Sequence, residues 1–365
     1  MDTARAFEPK TILLWRGVAD HPEARRIIAM SPEADLQIVE SQRGVRLPPH
    51  PGRHPIVAGK RTLMIGATTS FVRHFDGCLG RDVRCARYLK LVPISNGCPY
   101  YCTYCYLAYV YREHLPFIKV NVNYDRMFAE IRKVALTASG VTCFNMGEML
   151  DSLALDHVAC LTQRLVPRFS GLTDSYLMLL TKSANVDSLL SIAPNHQIVV
   201  SWSLSTPSMI EAHEPGTASL DERIGAAQRC QERGYRIRVR IDPGILYPGW
   251  QAEYAGLIEE TLSLLEPENI TLGMLRLLPG HFQLMRQAYG CRGRKLQDTM
   301  LTHRGSDGKL RYSSKQRIDF YRFLVDVIRA CDTHVSIGLC RETADVWNDL
   351  HGLCDPGQCN CLIWT

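Results

Sequence analysis

The strongest chemical signal in this 365-residue chain is a loop of three cysteines, Gly97-Cys98-Pro-Tyr-Tyr-Cys102-Thr-Tyr-Cys105. Full thiolate ligation of a cubane iron–sulfur cluster takes four cysteines. Three in one loop hold three irons and leave the fourth open to an outside ligand. A structural zinc knuckle is the competing reading. Zinc, however, takes four closed ligands and usually pairs two Cys-x-x-Cys units, and no second such pair lies nearby. Another concentration of cysteines comes near the end, in Gly338-Leu-Cys340 and Leu353-Cys354-Asp-Pro-Gly-Gln-Cys359-Asn-Cys361. Of fourteen cysteines, seven cluster in these two places, which points to metal rather than to disulfide staples.

A scaffold must place the loop. From Tyr88 onward, strand-like and amphipathic segments alternate, with strands expected at Leu89–Ile94, Val141–Asn145, Tyr176–Thr181, Gln197–Ser203, Arg236–Asp242 and Ile270–Arg276. Helices are expected between them, as at Tyr124–Ala138, Ser219–Arg233 and Glu253–Leu265. The fold class is therefore α/β, a partial parallel (β/α)6 barrel, whose chemistry belongs at the C-terminal strand ends. Residues 1–87 read as a small α/β segment, with strands at Thr11–Trp15 and Leu36–Val39, a helix at Pro22–Met30 and a loop at Pro48–Pro55. Residues 88–285 form the barrel. Residues 286–365 hold the end of a polar loop that begins at 281, a helix at Ser314–Cys331, a strand at Val335–Leu339 and the Cys-rich tail.

Composition is that of an ordinary globular protein, 46% hydrophobic and 22% charged. A net charge of +5 suits a phosphate-bearing substrate and falls short of a nucleic-acid stripe. Met1 to Lys10 hold no apolar leader segment and no apolar run reaches membrane-span length, so a cytoplasmic protein without membrane contact is expected.

The spacing Cys-x3-Cys-x-aromatic-Cys resembles the signature of the radical S-adenosylmethionine (SAM) superfamily. More closely, the chain resembles the spore photoproduct lyase family. The matching residues are Gly97-Cys98-Pro, Tyr104-Cys105-Tyr106-Leu107, Asp156-His157, Ser203-Leu204, Glu214-Pro-Gly-Thr217 with Arg223, Asp242-Pro243, Gly249-Trp250 and the opening Val18-Ala-Asp-His-Pro22 with Arg26-Ile27. The resemblance implies a [4Fe–4S] cluster on Cys98, Cys102 and Cys105, with SAM on the open iron. It implies that Tyr104 meets the adenine and that Lys182 and Ser203 hold the SAM carboxylate. Met146-Gly147-Glu148 resembles the element that receives the SAM ammonium. Tyr106 matches a tyrosine of the family's radical relay.

Two departures stand out. The family's hydrogen-donating cysteine has no counterpart in Asn145-Met-Gly-Glu148-Met-Leu-Asp151, and Cys143 sits earlier, in a strand. The tail adds Cys340, Cys354, Cys359 and Cys361, expected to hold a second [4Fe–4S] cluster, with structural zinc and a redox disulfide as the alternatives. Cys78, Cys85 and Cys291 are replacement ligands if one tail cysteine is idle. Cys160, Cys230 and Cys331 read as core residues.

Asp242 ends a strand, either to face substrate or to shape a turn. Arg236, Arg238 and Arg240 share one strand face, either the barrel lumen or a solvated edge. Arg292, Arg294, Lys295, His303 and Arg304 read as a lid over an anionic substrate or as solvated surface. The expected reaction is hydrogen abstraction from a nucleotide or nucleoside after SAM cleavage. Resemblance to the lyase-like enzymes of thionucleoside (albomycin-type) biosynthesis implies exchange of a ring oxygen for sulfur, with the tail cluster as donor. DNA photolesion repair is the second reading, with DNA as partner, and an iron–sulfur redox protein without SAM chemistry the third. A reductant such as flavodoxin or ferredoxin is implied.

Overall fold

The computed structural model describes residues 7–47, 53–77, 80–111, 114–290, 296 and 301–364. Near the N-terminus, β1 (Thr11–Trp15) lies between β2 (Asp35–Val39) and β3 (Thr62–Gly66), all parallel. β3, which the sequence reading missed, is buried along its whole length and so lacks the alternation of a half-exposed strand. β4 (Val72–Phe75) pairs antiparallel with β5 (Tyr88–Leu91) at one edge of a larger sheet.

The expected strand Leu89–Ile94 is two strands. After Leu91 the chain passes Pro93, which has no N–H for a ladder. β6 (Ile94–Ser95) then leaves the large sheet and pairs with β7 (Ile118–Asn121), which completes the small sheet beside β3.

The large sheet continues through β8 (Thr142–Asn145), β9 (Ser175–Thr181), β10 (Ile198–Ser203), β11 (Arg236–Gly244) and β12 (Asn269–Met274). A hairpin follows, β13 (His303–Arg304) with β14 (Leu310–Arg311), and β15 (Ser336–Leu339) then joins the sheet. Its order is β15-β12-β11-β10-β9-β8-β5-β4, and every pairing from β5 to β15 is parallel. The six barrel strands read from the sequence are present, and β15 extends the row by a further parallel strand. The expected segment boundaries at 87/88 and 285/286 cross these sheets. β4 feeds the large sheet from the N-terminal side, and β6 and β7 return to the small one.

Helices cover the sheet where expected. Leu220–Arg233 starts on a reciprocal cap between Ser219 and Glu222 and stops at Gly234, whose φ of 102° suits glycine. Ser314–Cys331 packs on Trp250–Leu264 through Trp250, Tyr254, Phe320 and Phe323. The polar stretch expected to loop from 281 begins instead with a helix, His281–Tyr289, which buries Leu284 and Met285. Cys230 is core as expected, Cys160 is only half-buried and takes a hydrogen bond from Arg26, and Cys331 is exposed. Arg292, Arg294, Lys295, Cys78 and Cys291 lie outside the described residues.

Candidate active site

The C-terminal ends of β8 to β11 and the three-cysteine loop surround one cavity of about 250 Å3. Cys98, Tyr104, Tyr106, Gly147, Glu148, Lys182, Ser203 and Asp242 all line it, as do Cys102 and Cys105. Every residue expected to serve the first cluster and SAM is thus brought to one place.

The loop is held by backbone bonds rather than by chance. Lys60, fully buried, donates from Nζ to the Cys98 carbonyl at 2.6 Å. Tyr101 N–H donates to the Pro215 carbonyl at 3.0 Å and Thr103 N–H to the His213 carbonyl at 2.9 Å. Gly97 is required by a close approach, since a Cβ there would sit 2.8 Å from Ile94 and 2.9 Å from Leu150. Burial pushes the Cys98 thiol up to about 12 against the pull of Lys60, and burial also pushes Cys102 well up. Thiolates at such positions need a positive partner, which cluster iron supplies. The donor set therefore fits a three-cysteine [4Fe–4S] cluster.

Behind the loop lies a charge network anchored on Glu214. Its carboxylate accepts from Lys182 Nζ at 2.7 Å, from Arg223 Nη2 at 2.5 Å and from the Tyr104 hydroxyl. Arg223 also donates to the Thr217 hydroxyl at 2.7 Å and the Ser203 carbonyl at 2.9 Å. Burial alone would raise the Glu214 pKa, but Lys182 and Arg223 outweigh it and hold the group at about 2. The family-like stretch Glu214–Thr217 with Arg223 is thus the brace that orients Tyr104, Lys182 and Ser203.

On the other wall, Glu148 bridges Arg240 at 2.8 Å and Arg341 at 2.9 Å. Asp242 bridges Arg240 at 2.7 Å and Arg276 at 2.8 Å. Despite burial, the arginines hold Glu148 at about 2 and Asp242 well below the ordinary range. Both carboxylates are ionised acceptors, and neither is a proton donor near neutral pH. Gly147 lets the chain pass β9, since a Cβ there would lie 2.1 Å from the Leu180 Cβ. Asp151 fixes the end of β9, accepting from the Thr181 hydroxyl at 2.7 Å and the Lys182 N–H at 2.8 Å.

The shared face of Arg236, Arg238 and Arg240 divides in function. Arg236 pairs with Glu268, Arg238 donates to the tail carbonyls of Asn360 and Leu362, and only Arg240 lines the cavity. Lys309, which the sequence reading did not single out, reaches the cavity from the turn between β13 and β14. Its Nζ lies 5.1 Å from the centre of the Tyr106 ring. Burial, with Arg276 and Arg341 nearby, lowers its pKa to about 8. Five cations (Lys182, Arg240, Arg276, Lys309 and Arg341) face three carboxylates (Glu148, Asp151 and Asp242) across this cavity. Of the expected lid, His303 and Arg304 form β13.

The tail divides too. Cys340, Cys359 and Cys361 line a small second cavity, whereas Cys354 is buried in the main hydrophobic core and does not line it. Cys85 lines that cavity in its stead. Cys143 is buried in β8 against Met178 and Val199, the core position expected of it.

The sequence profile of the spore photoproduct lyase family matches residues 7–286. The chain belongs to the spore photoproduct lyase family. It is a radical SAM enzyme of lyase type. The spore photoproduct lyase of Clostridium acetobutylicum is 26% identical over 69% of this chain and 73% of its own length. That of a Geobacillus species is 27% identical over 72% and 75%. A solved spore photoproduct lyase complexed with dinucleoside spore photoproduct superposes with a TM-score of 0.79 at 22% identity, over 91% of this chain and 99% of that one. A mutant lyase with bound AdoMet and dinucleoside spore photoproduct gives 0.77. At these identities the superpositions establish the fold. Cys340, Cys359 and Cys361 lie beyond the matched residues.

Proposed function

We propose that the chain binds SAM and a [4Fe–4S] cluster in the 250 Å3 cavity and acts there on a thymine-derived dinucleotide lesion or a closely similar nucleotide. The observation that carries this reading is the meeting of the three cysteines with Tyr104, Glu148, Lys182 and Ser203 around one cavity. An excess of cations for an anionic ligand stands around them. Cys98, Cys102 and Cys105 would hold the cluster, which, with a flavodoxin- or ferredoxin-type reductant, would supply the electron for reductive cleavage of SAM to methionine and a 5′-deoxyadenosyl radical.

This chain's residues do the rest. Lys182 and Ser203 meet the SAM carboxylate, and the ammonium of Lys182 gives it a charge-assisted bond. Glu148, kept ionised by Arg240 and Arg341, accepts from the SAM ammonium. Lys309 and Arg276 face the substrate phosphodiester. Tyr106, 44% exposed at the mouth, gives a hydrogen atom from its hydroxyl to the substrate radical in place of the family's donor cysteine, and the tyrosyl radical left behind takes an electron from the same flavodoxin- or ferredoxin-type reductant and a proton from solvent.

The activity named for the relatives supports lyase chemistry on a dinucleotide over the ring oxygen-to-sulfur exchange implied by the thionucleoside resemblance. The test is turnover of dinucleoside spore photoproduct by anaerobically reconstituted protein with SAM and dithionite. Thymidine release is expected, and Tyr106→Phe should slow it while 5′-deoxyadenosine still forms. SAM cleavage without release of thymidine would move the substrate to another nucleotide. Absence of SAM cleavage would leave a redox protein.

A further inference from the structure

The second cavity has a chemistry of its own. Cys85, Cys340, Cys359 and Cys361 all line it, and they arrive from three separate parts of the chain. Cys340 follows directly on the end of β15. Cys85 is laced to the same place by backbone bonds. Arg84 N–H donates to the Glu342 carbonyl at 2.8 Å, and Ala344 N–H donates to the Asp82 carbonyl at 2.7 Å.

The tail is threaded in beside them. Asn269 donates to the Gln358 carbonyl at 2.9 Å, Asn360 N–H to the Thr271 hydroxyl at 2.8 Å, and Ser201 to Asn360 Oδ1 at 2.7 Å. Gly338 makes the approach feasible, because a Cβ there would lie 2.2 Å from the Gln358 carbonyl oxygen.

The surroundings are those of an anion bound through sulfur. Arg240 Nη2 donates to Cys340 Sγ at 3.0 Å, and Asn145 Nδ2 donates to Cys361 Sγ at 3.3 Å. Cys361 Sγ also lies 3.9 Å from Glu148 Oε1, a carboxylate already shared between Arg240 and Arg341. Asn360, 1% exposed and part of the cavity wall, has an amide Nδ2 with no hydrogen-bond partner among the described residues. A buried donor left unmatched costs free energy, and a bound acceptor removes that cost. Among the described residues no three His, Cys, Asp or Glu side chains close on a single ion. A cubane spreads its four thiolates more widely than a tetrahedral zinc does.

We propose that Cys85, Cys340, Cys359 and Cys361 bind a second, fully ligated [4Fe–4S] cluster. It lies back to back with the SAM cavity across the shared residues Glu148, Arg240 and Arg341. Cys354, in the hydrophobic core, is not a ligand. Four thiolates leave no open iron, so this centre does not bind SAM. The inference goes beyond the substrate reading and does not depend on which nucleotide is used.

The test is iron and acid-labile sulfide per chain after anaerobic reconstitution of the full chain, with zinc measured alongside. Wild type and Cys354→Ala should each hold about eight irons, and Cys85→Ala and Cys359→Ala/Cys361→Ala about four. The Cys98→Ala/Cys102→Ala/Cys105→Ala variant should also keep about four, with a reduced-state EPR signal that SAM leaves unchanged. If Cys85→Ala does not fold, Cys85→Ser and this triple variant still decide the matter. About four irons in wild type, one zinc per chain, or an iron content that depends on Cys354 and not on Cys85 would overturn the proposal.

Discussion

Replacing Glu214 by Gln removes one charge and keeps nearly the same shape, so it isolates what the ionised carboxylate does. Glu214 and Arg223 have side chains 1% and 0% exposed, and Lys182 sits at 16%. Removing one partner of a buried pair costs roughly 3–5 kcal/mol, because the remaining charge is left without compensation. The pKa gives an independent figure. A carboxyl held at about 2, against an ordinary value of 4.5, contributes about 3 kcal/mol at pH 7.

The sign follows from the depressed folded-state value. The stabilisation is complete above the unfolded pKa near 4.5 and is lost as pH falls toward about 2. At pH 3.5 about 2 kcal/mol of it remains. Urea unfolding of cluster-free protein, wild type against Glu214→Gln, should therefore show a gap of about 3 kcal/mol at pH 7 that narrows as the pH is lowered. A gap below about 1 kcal/mol, or one that does not change with pH, would refute the view that Glu214 is an ionised buried brace.

Three further outcomes are expected. Lys182→Ala should weaken SAM binding by about 1.5–3 kcal/mol, the worth of a charge-assisted bond, and leave the cluster spectrum intact by titration calorimetry and absorbance. Gly147→Ala drives a Cβ to within 2.1 Å of Leu180 and should cost about 1–3 kcal/mol of stability, read as a lower thermal midpoint. Lys309, with its pKa lowered to about 8, should lose its charge as pH rises through that value. Affinity for a thymidine dinucleotide carrying its phosphodiester should fall over that window, and Lys309→Ala should be weaker below it and flat with pH.

The cluster loop and the row of parallel strands were legible because both carry local signals. Cys98, Cys102 and Cys105 are fixed by spacing, and β8 to β12 by apolar runs followed by amphipathic helices. What escaped was non-local. Cys85, named from the sequence as one of three replacement ligands, is brought beside Cys340 by hydrogen bonds between the stretches around residues 82–84 and 342–344, and no periodicity announces such pairing. Cys354 sits within the tail's cysteine spacing, yet the helix Ala344–Asp349 and the turn after it carry it into apolar packing. Spacing alone does not reveal that. Lys309 lies in a polar, glycine-bearing turn that reads as solvated surface until the hairpin folds it over Tyr106. The alternating arginines pointed to a shared face correctly, but their partners, Glu268, the tail carbonyls and Glu148, came from distant positions.

The central claim is that the loop of three cysteines makes this chain cleave SAM. The direct measurement is 5′-deoxyadenosine formed per chain from SAM and dithionite under anaerobic conditions, for wild type and for Cys98→Ala, Cys102→Ala and Cys105→Ala. Steady formation by wild type is expected, with none above background for each single variant. Equal formation by any one of the three variants, or none by fully iron-loaded wild type with SAM bound, would contradict it.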